Sequence, residues 1–201
     1  IYTTGIRSFK HEAIPILMEI IEKETDPYRI RRACQLLGDI RKPIVAQKLN
    51  EALRKFPEKK AAIIEGIAHT RDQSFATLLL AQLQSDESKK IKGACLKALA
   101  SCGTKDRIPQ IRPYVNDASI RAEALYALIS LGDPQAMDEF LHLLIHGNAQ
   151  EQHALSGIAG LLSEKYHLYM AEKMVEMEDR GAIIILVALQ KPNRLPSQIG
   201  T

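Results

Sequence analysis

"DPYRIRRACQLLGDIRKPIVAQKLNEAL", Asp26 to Leu53, is echoed by "DASIRAEALYALISLGDPQAMDEFLHLL", Asp117 to Leu144. Each stretch begins with Asp, sets arginine ahead of an alanine-bearing apolar run, breaks at Gly-Asp and resumes with a second amphipathic run. A catalytic motif normally occurs once, whereas a building block recurs. With Ala33 as a marker and Leu37 four residues on, the same column holds Ile63 and Ile67, Cys95 and Leu99, Ala124 and Leu128, and Ala154 and Ile158. The markers are 30, 32, 29 and 30 residues apart. Two helical patterns per copy at that period predict an all-α chain, an α-solenoid of stacked helical hairpins.

The spacing has a mechanical reason. Ile30, Ala33, Cys34 and Leu37 fall on one helical face, and small marker residues let neighbouring helices approach closely. Gly38, Gly103 and Gly132 are expected to end first helices in the left-handed conformation that glycine tolerates. Asp26-Pro27 and Asp133-Pro134 read as an N-cap followed by a first-turn proline, and Asn148 with Glu151 has capping-box spacing. The expected helix pairs are 28–38 with 43–54, 59–69 with 73–84, 88–101 with 106–115, 118–131 with 134–146, and 150–162 with 165–178.

One array over residues 1–191 follows, with a partial copy at 1–25 and full copies at 26–57, 58–85, 86–116, 117–147 and 148–179. A further partial copy at 180–191 precedes a polar tail, 192–201. Residues 10–23 read as a second helix without its first, and 180–190 as a first helix without its second. Neither end shows the polar outer face of a capping repeat, so the chain is expected to be part of a longer polypeptide.

Composition agrees with packed helices. Of the 201 residues 46% are hydrophobic and only 5% aromatic, with no Trp, which disfavours a β-sandwich. The longest apolar run, Ala182 to Leu189, is too short to span a membrane. Cys34, Cys95 and Cys102 are an odd set in apolar helical stretches. Cys95 and Cys102, seven apart on one helix, lie about 10 Å apart, beyond disulfide reach. Buried free thiols in a reducing, cytoplasmic setting are expected. Residues 1–113 carry 21 Lys and Arg against 13 Asp and Glu, and residues 114–201 carry 6 against 11. The chain is basic early and acidic late.

These residues resemble HEAT repeats, in particular the short PBS-lyase HEAT-like type. The resemblance rests on Arg121-x-x-Ala124-x-x-x-Leu128, on Leu131-Gly132-Asp133-Pro134, and on the parallel "IRRACQLLGDI" at 30–40. It implies a right-handed superhelix of about five to six hairpins whose second helices line a concave binding groove. The longer HEAT pattern has a turn Asp with Arg six residues on, forming a ladder; Asp106 and Arg112 fit, but Asp39 meets Val45 and Asp133 meets Glu139. Three relatives implied by the resemblance are enzymes or enzyme subunits. The di-iron hydroxylase of that architecture needs several His-Glu pairs, and His11-Glu12 is the only one here. HEAT-like DNA glycosylases rely on tryptophan. Phycobilin lyase subunits share the repeat itself, which leaves a lyase-like subunit as a further alternative.

The function expected is a non-enzymatic scaffold that binds another protein. In helix 43–54 the core set is Val45, Leu49, Ala52 and Leu53, so Asn50 and Arg54 face outward. That register carried forward exposes Leu80 and Gln84, then Gln110 and Tyr114, then Glu139 and His142, then Tyr169 and Glu172. Leu80 and Tyr114 would be the apolar anchors of the groove. Nucleic acid, or another anionic surface, is the alternative partner, through "RKFPEKK" (54–60) and "SKKIKGACLK" (88–97). No aromatic interleaving accompanies those lysines, so base stacking is not suggested. His142 and His146 have a permissible spacing for metal ligands, but a third ligand is not evident and two fall short of a zinc site. With no Gly-rich phosphate loop, nucleophile elbow or Cys-x-x-Cys, no cofactor is expected.

Overall fold

The computed structural model describes residues 12–85 and 88–175, and every regular element among them is helical. The α-helices are α1 (Ala13–Lys23), α2 (Pro27–Asp39), α3 (Pro43–Lys55), α4 (Lys60–Thr70), α5 (Ala76–Gln84) and α6 (Lys89–Cys102). They continue with α7 (Ile108–Ile111), α8 (Arg121–Leu131), α9 (Ala136–His146), α10 (Ala149–Ala159) and α11 (Glu164–Val175). The expected helix over 180–190, the tail at 192–201 and the start of the array lie outside the described residues.

The first helices α2, α4, α6, α8 and α10 stack on one another in a single layer. The second helices form the other layer, with α1 against α2, α3 against α4, α5 against α6 and α9 against α10. Each second helix thus leans on the first helix of the following copy. The fold is an all-α solenoid.

The capping chemistry read from the sequence is in place. Asp26 accepts from the Tyr28 N–H at 2.9 Å ahead of Pro27. Asp133 accepts from Gln135 at 2.9 Å and Ala136 at 3.1 Å, opening α9. Asn148 and Glu151 form a reciprocal capping box, at 3.0 and 3.1 Å. Gly132, with φ 84°, closes α8 by a Schellman pair: its N–H donates to Ile129 and the Asp133 N–H to Leu128. Helix α8 begins at Arg121 rather than 118, because residues 118–120 are spent in a turn in which Asp117 holds the Ser119 N–H and hydroxyl.

Glycine does something different at the other two expected stops. Gly103 has an extended backbone, φ −81°. Gly38 lies inside α2 and is buried. A β-carbon on Gly38 would stand 2.1 Å from the Gly66 carbonyl oxygen and 2.7 Å from His69 Cβ, and one on Gly66 would stand 2.6 Å from the Cys34 carbonyl oxygen. These glycines let the backbones of α2 and α4 touch. The left-handed positions after α2 and α4 belong instead to Arg41 and Arg71.

The marker column is buried at Ala33, Ile63, Cys95 and Ala124, but Ala154 is exposed. In α10 the core takes Leu155, Ile158 and Ala159, because turning by one residue buries a leucine in place of an alanine. The second helix of the third copy is broken. Pro109 and Pro113 remove two helix N–H donors, and the chain runs as a 3₁₀ turn (Lys105–Arg107), α7, and another 3₁₀ turn (Arg112–Asn116).

None of the three cysteines forms a disulfide, and all are buried. Burial pushes the Cys34 thiol up to about 12 and the Cys102 thiol up to about 11. Cys102 Sγ also lies 3.4 Å from the Ile67 carbonyl oxygen of α4. No helix among the described residues is long and apolar enough to cross a membrane.

Two outcomes are expected. Gly66→Ala should lower stability in denaturant titrations by about 1–3 kcal/mol, since the clash is with backbone that cannot swing aside. Gly157→Ala, in α10 with nothing within 4 Å of its β-carbon, should raise stability by about 0.5–1 kcal/mol; equal effects at the two sites would contradict the close approach. The cysteines should resist thiol reagents near neutral pH in the native protein and all react after denaturation. Because folded Cys34 and Cys102 keep protons that an unfolded chain releases above its ordinary thiol value of 9.0, the contribution of these two thiols to stability is full below pH 9.0. It is lost as pH rises from there through about 11 and about 12.

Candidate interaction face

Each second element contributes a short outward row. On α3, Val45, Leu49, Ala52 and Leu53 are buried, while Arg54 is exposed and Asn50 half-buried. Gln84, Gln110, His142 and Glu172 are exposed; Tyr114, Glu139 and Tyr169 are half-buried. Leu80 departs from the expectation: it is 5% exposed and belongs to the core, so it is no anchor for a partner. On α5 the column held by Ala52 on α3 carries Gln82, and the helix turns to bury Ala76, Leu79, Leu80 and Leu83 instead. Apolar side chains outnumber the places on the usual face, and the stripe widens to take them in.

Tyr114 is not a free anchor either. Its ring packs against the core and its hydroxyl donates to the Leu83 carbonyl, 3.3 Å away at the end of the preceding second helix. Burial raises its phenol above the ordinary value. Tyr169 repeats the device on α11, donating to Asp138 Oδ1 of α9 at 2.9 Å. Tyr166, which the sequence did not single out, donates to the Ile129 carbonyl at the end of α8, at 2.6 Å. Each hydroxyl spans a little over thirty residues, 31, 31 and 37 in turn, and so ties one copy to the last.

Arginine adds another tie. Arg112 carries the ladder spacing from Asp106, but Asp106 is occupied by the Thr104 hydroxyl and by Arg107. Arg112 turns forward to the next copy, where it bonds Glu139 and Gln135, the latter at 3.2 Å, and lies 3.8 Å from Asp133. Between the broken α7 and α9 this leaves a cleft of ≈ 470 Å³ walled by Pro109, Pro113, Val115, Arg112 and Glu139. The cleft is the feature of this face that periodicity hid, although two prolines four apart were its visible signal.

His142 and His146 stack along α9 with ring centroids 5.0 Å apart, tilted by 51°. Both are exposed. Among the described residues no three His, Cys, Asp or Glu side chains gather in a way that could hold a metal ion.

A solenoid of paired helices, stacked first helix on first helix and tied across copies by second-helix side chains, is the architecture of a helical-repeat protein. The family model for HEAT repeats matches residues 76–159, from α5 to the end of α10. The chain carries HEAT repeats. The matched residues contain both ends of the Tyr114 and Arg112 ties, whereas Tyr166 and Tyr169 reach back into them from α11. No curated protein matches the chain.

The arginine tie is open to measurement. Arg112→Ala and Glu139→Ala should each destabilise, and a double-mutant cycle should return a coupling of about 0.5–1 kcal/mol that shrinks in high salt. Additive effects would mean that the pair holds nothing together.

Proposed function

We propose that the chain is a non-enzymatic protein–protein interaction scaffold that binds a partner along its second-helix face. HEAT repeats are generally protein-interaction scaffolds and the family is typically non-enzymatic. The observation that carries the reading here is the continuity of the outward row. It runs through Arg54, Gln84, Gln110, Glu139, His142 and Glu172 on successive second elements, with Tyr114 and Tyr169 clamped between copies. The tyrosines fixed by their own hydrogen bonds hold the row in place and leave little rotamer freedom to be lost on binding. The row passes from basic at Arg54 to acidic at Glu139 and Glu172, which favours an extended partner of opposite polarity.

The pairing of the basic half weighs against nucleic acid as the partner. Lys55 bonds Glu22 at 2.6 Å, Lys97 lies 3.5 Å from Glu123, and Arg31 bonds Glu65 at 3.0 Å. The Lys59 ammonium is taken up by the carbonyls of Ile21, Glu22 and Glu24 at the end of α1, at 2.8 to 3.1 Å. These cations serve the fold before any polyanion.

The test compares two faces. An Arg54→Ala/Gln110→Ala/His142→Ala variant should lose the proteins that the parent chain captures from its native extract, with its thermal midpoint unchanged. An Arg32→Ala/His153→Ala variant, altered at exposed positions on the first helices, should keep them. Capture that survives the first variant rejects the second-helix face, and capture of nucleic acid that falls away steeply with salt favours the alternative partner.

A further inference from the structure

The geometry points to a phosphomonoester-binding cleft on a different edge of the array, at the carboxyl ends of the first helices. The cleft measures ≈ 390 Å³ and is lined by Arg41, His69, Arg71, Lys97, Ser101 and Tyr126. Four consecutive first helices build it: Arg41 follows α2, His69 and Arg71 end α4, Lys97 and Ser101 come from the last turns of α6, and Tyr126 comes from α8.

The two arginines are what mark it. Arg41 and Arg71 hold the same place in successive copies, and they are the non-glycine residues with positive φ among those described, at 53° and 54°. A residue with a β-carbon loses about 1 kcal/mol in that conformation. Glycine would avoid the loss, as Gly132 does at the end of α8. Arginine twice, in register, at a position where the backbone favours glycine, points to a use for the guanidinium.

Neither guanidinium enters an ion pair among the described residues, and the Arg71 charge acts on the neighbouring Tyr126 phenol. The other charges near them are already matched: Asp39 faces His69 Nδ1 at 3.1 Å, and Lys97 faces Glu123 at 3.5 Å. Arg41 and Arg71 are exposed, and the ion pairs of Asp39 and Glu123 go to His69 and Lys97 instead. Stacked helices lie about 8–10 Å apart, so the two side chains can close on one tetrahedral group from opposite sides. Helix carboxyl ends repel anions, but these ends are largely covered. The Arg41 N–H donates to Gly38 O and the Arg71 N–H to Ala68 O, while Ile67 O takes the Thr70 hydroxyl and the Cys102 thiol.

Two monocations that have no ion pair among the described residues, with the Ser101 hydroxyl in the same cleft, suit a dianion with several terminal oxygens. Arginine forks are the usual partner of such phosphate groups. A nucleic-acid backbone fits less well. It offers one charge per phosphate and needs a continuing basic track, whereas the arginines share this cleft with Asp39, Ala68 and Leu161. The ligand chemistry is therefore a phosphomonoester, free or carried on a phosphorylated side chain. The site shares no residue with the second-helix face, so either can fail alone.

The experiment is calorimetric titration of the chain with inorganic phosphate, phosphoserine, a phosphoserine peptide and a DNA duplex, repeated on Arg41→Gly/Arg71→Gly. Phosphomonoesters should bind the parent chain, and the double variant should bind them at least tenfold more weakly. Its thermal midpoint should hold or rise, because glycine relieves the left-handed backbone. Inorganic phosphate binding as tightly as the peptide identifies a free anion as the ligand; a clear preference for the peptide identifies a phosphorylated segment. Absence of phosphomonoester binding, undiminished binding by the variant, or a preference for the duplex overturns the proposal. So does a variant whose midpoint falls while its affinity stays, which would make the arginines helix-end caps.

Discussion

The backbone contact between α2 and α4 sets the geometry on which the rest is built. The Gly66 carbonyl occupies the space where Gly38 would carry a β-carbon, and the Cys34 carbonyl does the same to Gly66. Two helices interlocked in this way cannot slide along each other by a turn without driving a side chain into a peptide group. Their axial register is fixed by contact and not only by apolar burial. From that register follow the burial of Cys34, the meeting of His69 with Asp39, and the reach of Lys59 back to the open carbonyls of α1. In an array where each copy is stabilised chiefly by its neighbours, one rigid interface disciplines those stacked on it.

Further along, a different means holds the copies. Beyond α5 several ties between copies are polar: from second elements come the Tyr114 hydroxyl on the Leu83 carbonyl, Arg112 on Glu139 and Tyr169 on Asp138, and from the first helix α8 comes Arg121 on Glu151. Several of these reach the carboxyl end of a helix or the acidic first turn of the next, where the bond also answers an unsatisfied group or the helix dipole. The proline-broken α7 makes this possible. Unwinding into 3₁₀ turns brings Arg112 and Tyr114 to opposite sides of the strip, one reaching forward to α9 and the other back to α5.

Much of the fold was legible because its signals are local. Helix faces, N-caps and the capping box at Asn148 depend on residues three or four apart, and spacing alone reveals them. What was hidden depends on another copy. Gly38 reads as a helix stop until Gly66 is brought against it. Leu80 reads as exposed until Gln82 takes the column of Ala52 and the helix turns. Tyr114 reads as a loose aromatic until Leu83 O is seen within reach of its hydroxyl. Exposure was legible where it is a short-range fact of one helix, at Arg54, Gln110, His142 and Glu172, and not where packing between copies decides.

The left-handed arginines join these strands of argument. A glycine at Gly38 is required because α2 and α4 touch there, so this glycine sits inside the helix and is not its left-handed stop, which comes three residues later. The termination is carried by Arg41 instead, and Arg71 carries it for α4 in the same register. Since the glycine contact sets the spacing of the two helices, it also sets how far apart the two guanidiniums begin. The closeness that the core demands at Gly38 and Gly66 is the same closeness that lets Arg41 and Arg71 face a single small anion. A substitution that pushed α2 from α4 would therefore disturb the cleft at their ends before it reached the second-helix face, which is tied together by side chains of other copies.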